Sequence, residues 1–255
     1  MKPFKLMTSV ALAASLVSVG SISAFAADGG EYESKGIIEF TPFTGITPPV
    51  DPENPGEEVE PEGPGGETPE PGTNGPLSID FASSLDFGTQ EISSQDQTYY
   101  AAAQKVTKNG KSIAVPNYVQ VSDNRGTETG WGLSVTQNTE FTSTTDSDHT
   151  LAGTEIVISN IEAVTASESE SPTVNTEIIL DGAGVTSNVM TAANGQGAGT
   201  HLANFGDDTT KAESVALNIP GKITKYAEAY ETTLTWTLTD TVANGNEDVE
   251  DGVEA

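Results

Sequence analysis

The residues best suited to chemistry are two tryptophans, Trp131 and Trp236, each two positions before a leucine, in Gly130-Trp131-Gly132-Leu133-Ser134-Val135 and Leu234-Thr235-Trp236-Thr237-Leu238-Thr239. An indole can stack on a sugar ring. In a β-strand a residue and its i+2 neighbour point to the same side, so each pair presents one large apolar patch. Two readings share this pattern. Trp131, Leu133 and Val135, like Leu234, Trp236 and Leu238, have the spacing of a strand face buried in a core, whereas a stacking platform needs at least one indole face in solvent.

Arg125 is the single arginine of the chain and follows Asp123 in a turn-like stretch. Its guanidinium could fork onto a ligand carboxylate or onto Asp123 itself. Asp146-Ser147-Asp148-His149 and Asn204-Phe205-Gly206-Asp207-Asp208 carry oxygen ligands for a hard cation. Neither has the loop length, central glycine and closing glutamate of a calcium-binding hand, so both read as solvated loops, and no metal site is expected. Cysteine is absent and His149 and His201 are the only histidines, which leaves little for a transition metal. Acidic residues abound, as in glycosidases, but abundance does not set a catalytic carboxylate pair at its working separation. No G-x-S-x-G elbow, H-E-x-x-H helix or cysteine nucleophile is present, so neither enzymatic activity nor a cofactor is expected.

The elements that must position these residues are short strands. Period-two apolar patterns occur at Leu77-Ser78-Ile79-Asp80-Phe81, Tyr118-Val119-Gln120-Val121, Trp131–Val135, Glu155–Ile158, Val215–Ile219 and Leu234–Leu238. Turn-rich stretches separate them, among them Asp123-Asn124-Arg125-Gly126. The pattern predicts an all-β fold, an antiparallel β-sandwich or barrel-like single domain with long loops, over residues 77–240. Tyr99 to Gln104 is ambiguous between strand and helical turn, and the glycine-rich Ala183–Ala203 segment reads as a long loop.

The amino end reads as an export signal over residues 1–26: a basic start at Lys2 and Lys5, an apolar run, and Ala24-Phe25-Ala26 as a cleavage site. No later run is long and apolar enough to span a bilayer. Residues 27–41 form a short segment whose Gly36-Ile37-Ile38-Glu39-Phe40 is strand-like. Residues 42–76 are proline, glycine and acid without lysine or arginine, which predicts a semi-flexible spacer, and the 241–255 tail is acidic and expected to be disordered.

Several of these segments together resemble the WxL-domain surface proteins of low-GC Gram-positive bacteria. They are Gly29-Gly30-Glu31-Tyr32, Gly36–Phe40, Leu77–Gly88, Tyr118–Gly126 and the two Trp-x-Leu motifs in their expected order, and the resemblance spans about Gly29 to Asp240. It implies a secreted protein held non-covalently on the cell wall, with peptidoglycan as ligand and both tryptophans important for attachment. Other surface proteins are implied as partners, since such relatives occur in multi-protein assemblies. Trp131, Leu133, Trp236, Leu238 and Arg125 are the candidate site residues; peptidoglycan stem peptides carry carboxylates that Arg125 could meet.

A net charge of −28 disfavours nucleic acid and any basic-patch attachment to anionic surfaces. The leading expectation is a non-catalytic wall-binding protein. The alternative is a surface interaction protein that recruits another secreted or host protein and touches the wall indirectly; binding to protein-stripped peptidoglycan separates the two.

Overall fold

The computed structural model describes residues 31–240; the expected export signal and acidic tail lie outside the described residues. Residues 31–40 contain no helix or strand, so Gly36–Phe40 is not a strand. A strand needs a hydrogen-bonding neighbour, which an apolar pattern alone does not supply.

The remainder is all-β. Its strands run in order β1 (Val50–Asp51), β2 (Asn54–Glu58), β3 (Glu60–Glu62), β4 (Leu77–Ala82), β5 (Gln97–Tyr100), β6 (Gln104–Lys108) and β7 (Lys111–Val115). Then come β8 (Asn117–Asp123), β9 (Trp131–Gln137), β10 (Thr142–Ser143), β11 (Glu155–Ser159), β12 (Ile161–Thr165) and β13 (Thr173–Val174). The last are β14 (Glu177–Leu180), β15 (Thr186–Ala192), β16 (Gly199–Phe205), β17 (Val215–Ile219), β18 (Tyr230–Glu231) and β19 (Leu234–Thr239).

These strands assemble into three four-stranded antiparallel sheets, ordered β14-β11-β17-β5, β12-β16-β8-β4 and β13-β15-β9-β19. The three sheets share one core, into which Val119 and Val121 of β8, Trp131 and Leu133 of β9, Ile156 and Ile158 of β11 and Leu217 of β17 all project. Small sheets complete the barrel-like arrangement: β3-β6-β7, β1-β2 and β10-β18. Each fully buried aliphatic side chain contributes about 1.5–3 kcal/mol, which is what the period-two pattern secures when it keeps apolar residues on one face.

The expected spacer is the main correction. Residues 50–62 contribute β1, β2 and β3, with β3 pairing β6, and Val59 is buried in a second core with Phe81, Val106, Val115, Tyr118 and Leu202. Composition misled because this segment is held by its backbone more than by apolar side chains. The Gln120 amide accepts from Val50 N at 2.8 Å and donates to Pro48 O at 3.0 Å; Asn204 Nδ2 donates to Pro52 O at 2.7 Å, and Gln104 Nε2 to Glu62 O at 2.8 Å. Lys108 Nζ reaches Asp51 Oδ2 at 2.6 Å. The folded-back segment covers the polar face of β8, so all seven residues of that strand are buried.

Two smaller expectations also change. The glycine-rich 183–203 segment is mostly β15 and β16, two ordered strands joined by a turn, and Tyr99–Gln104 contains the end of β5 and the start of β6 around a short connection. Each strand finds a partner that local sequence does not reveal: β15 and β16 pair β9 and β8, and β5 pairs β17.

Candidate functional site

β9 is the inner strand of its sheet and β19 is the edge, paired so that Trp236 lies opposite Val135 and Leu238 opposite Leu133. The register thus sets the two Trp-x-Leu motifs side by side, although about a hundred residues separate them in sequence.

Their indoles differ in environment. Trp131 has no exposed surface; its Nε1 donates to Gly197 O at 3.0 Å, and its ring sits 6.2 Å from that of His201. Gly197 has φ 76°, and a Cβ there would fall 2.6 Å from Trp131 Nε1 and 2.5 Å from Ala192 Cβ, so the indole demands glycine at this turn. Trp131 is therefore a buried strut. Leu133 is likewise fully buried, while Leu238 is partly buried against the same core.

Trp236 is half-buried. One side packs on the core, stacked on Phe205 with centroids 6.3 Å apart and planes 14° from parallel. It also borders a groove of about 380 Å³ that runs between the stretch following β4 and the entry to β19. Leu85, Phe87 and Phe141 line it with Tyr230 and Trp236, while Glu231, Thr232 and Thr233 add polar groups. Phe87 and Phe141 meet edge to face at 6.3 Å and 76°.

Arg125 is committed within the chain. Its Nε donates to Asp123 Oδ1 at 2.9 Å, and its Nη2 to Asp123 Oδ2 at 2.7 Å and to Gly130 O at 2.8 Å. The hydrogen bonds to Asp123 hold the guanidinium above its ordinary value. The clamp fixes the turn that delivers Trp131 into β9; Arg125 is not beside the Trp236 groove.

The family profile described as WxL domain, surface cell wall-binding, matches residues 27–241. The chain belongs to the WxL-domain family. No curated protein and no solved structure matches it. Membership places this WxL domain at the cell surface, in a wall-binding and not a catalytic family. No helix among the described residues is long and apolar enough to cross a membrane.

The motif reading of the WxL sequence missed the groove's other aromatic residues. Tyr230 lies six positions before Trp236, close enough to have been suspected; Phe87 sits at the end of the Leu77–Gly88 segment and Phe141 in a stretch without a motif, both far in sequence from Trp236. It also missed a clamp beside the groove. His149 stacks on Tyr226 at 3.7 Å, its Nδ1 is 3.0 Å from Glu228 Oε2, and its Nε2 is 3.6 Å from Asp146 Oδ2. The Glu228 contact, reinforced by the charge of Asp146, raises the imidazole's pKa.

The other oxygen-rich loop is closed on itself. Asp207 Oδ1 accepts from Thr209 and Thr210, which lowers its pKa to about 2, and Asp208 pairs with Lys211. Those carboxylates are already engaged by protein donors.

Proposed function

We propose that this WxL domain attaches non-covalently to the Gram-positive cell wall by binding peptidoglycan in the aromatic groove beside Trp236, without catalysis. The half-buried Trp236 carries this reading: it is the one motif indole that borders a cleft. Phe87, Phe141 and Tyr230 supply further ring edges and faces, and Thr232 and Thr233 supply hydroxyls of the kind that sugar recognition uses. Trp131, Leu133 and Arg125 act indirectly, as the frame that holds β9 and, through it, β19.

Sedimentation with protein-stripped peptidoglycan tests the assignment. Trp236→Ala is expected to lose most binding while keeping its circular dichroism spectrum. Trp131→Ala is expected to unfold the domain or lower its stability by about 3–5 kcal/mol, the usual cost of removing a buried large aromatic side chain. Full binding by a folded Trp236→Ala protein would remove the groove from the wall contact.

A further inference from the structure

A second cavity, about 830 Å³, shares no lining residue with the Trp236 groove and lies on the other face of β4. Phe81 packs into the second core and lines this cavity, while the next residue, Ala82, packs against the main core and lines the Trp236 groove. Pro48, Pro49, Pro61, Pro69 and Pro71 form much of its wall. Proline fixes φ, so such a wall has little backbone freedom left to lose when it is covered.

Both sides of the cavity are pinned. Gln120 ties down Pro48 and Val50, as above. On the other side Thr73 N donates to Ile79 O at 2.8 Å and Ile79 N donates to Thr73 Oγ1 at 2.9 Å. Gly72 approaches β4 so closely that a Cβ would fall 2.5 Å from Asp80 O.

Charge distinguishes the cavity from an ordinary apolar cleft. Exposed Glu58, Glu60 and Glu70 line it, none of them forms an ion pair among the described residues, and no lysine or arginine lines it. Of the lysines on the neighbouring β6-β7 hairpin, Lys108 is held between Asp51 and Glu57, and neither Lys105 nor Lys111 lines the cavity. Asp80 also lies on the lining. It is the extra residue of a β-bulge, since Ile79 faces Val121 and Phe81 faces Gln120. Its buried carboxylate is bonded only by the neutral donors Ser78, Gln120 and Ser122, and burial raises its pKa.

We propose that this proline-walled cavity is a second binding surface, which receives an extended lysine-bearing segment of a partner protein. The lysine's aliphatic stem covers Phe81, Val59 and the prolines while its ammonium meets the unpaired carboxylates. Charge complementarity identifies the occupant, because an anionic or neutral segment leaves Glu58, Glu60 and Glu70 without a countercharge. This surface goes beyond wall attachment and does not depend on it.

The test uses the full mature chain and a short capped peptide of alternating lysine and valine, followed by calorimetry at physiological salt. Glu58→Gln, Glu60→Gln and Glu70→Gln combined are expected to weaken binding about tenfold or more, as loss of charge-assisted contacts does. The charge-matched set Glu155→Gln, Glu162→Gln and Glu177→Gln, exposed and outside the cavity, is expected to change it by less than about twofold. Trp236→Ala is expected to bind the peptide normally, which keeps this result separate from the wall assay. Equal losses in the two glutamate sets, equal binding of a norleucine peptide, or no binding would overturn the proposal. So would a free diamino stem peptide that binds with the same glutamate dependence while the lysine–valine peptide does not.

Discussion

At the residue scale the two tryptophans share a motif and divide the work. Trp131 is enclosed, with its N–H satisfied by Gly197 O, whereas Trp236 has one side on Phe205 and borders a groove. Gly197 is the sharpest probe of the first role. Gly197→Ala places a methyl into the indole N–H and Ala192 at a positive φ, and is expected to lower stability by about 1–3 kcal/mol. Denaturant unfolding followed by tryptophan fluorescence measures it; an unchanged midpoint would show that the turn relaxes freely. The Trp-x-Leu spacing made both indoles legible as sheet residues, but their opposite exposure depends on which strand is central and which is the edge. Arg125 shows the same limit: the neighbouring Asp123 suggested an internal pair, whereas its second contact, Gly130 O, is a product of the turn.

At the scale of elements, the groove wall is the short β10-β18 ladder and the chain leading into β19, held from outside by His149. The raised value of His149 means that its imidazolium contacts with Glu228 and Asp146 are complete below about pH 6.5, the unfolded histidine value, and are lost as pH rises through the higher folded value. Proton NMR titration is expected to show an elevated His149 pKa that moves toward the ordinary value in Glu228→Gln. Amide exchange over residues 226–231 is expected to quicken as pH rises through that titration. A second element-level test concerns the segment taken for a spacer. Gln120→Ala removes the partners of Val50 N and Pro48 O and a donor to Asp80, and is expected to cost about 1–3 kcal/mol and to open residues 46–62 to limited proteolysis. Equal protease resistance in the variant and the parent would mean that the apolar contacts of Val59 suffice to hold the segment.

At the scale of the whole molecule, a net charge of −28 opposes approach to an anionic wall, so short-range contacts must outweigh long-range repulsion. Wall pulldowns are expected to strengthen as salt screens the repulsion and as acid neutralises carboxylates. His149 protonation tightens the groove wall in the same direction. Weaker retention under both changes would rule out groove-dominated attachment. The same acidity that repels the wall suits the proline-walled cavity to a basic partner, so one net charge has opposite consequences at two surfaces of the chain.

By itself the sequence determined that this is an all-β chain, which strands carry apolar faces, and that the two Trp-x-Leu motifs belong to them. Those properties are local: side-chain period two and turn chemistry act over a few residues. Only the tertiary structure decided that Leu133 and Leu238 stand opposite each other, that Trp131 is enclosed while Trp236 meets a groove, and that residues 50–62 belong to the fold. Strand order and register arise from long-range pairing, and the proline segment is held by amides some 70 to 150 residues away in sequence, Gln120 and Asn204. A backbone carbonyl accepts such a bond whatever side chain its residue carries, so composition could not foretell where that segment would rest.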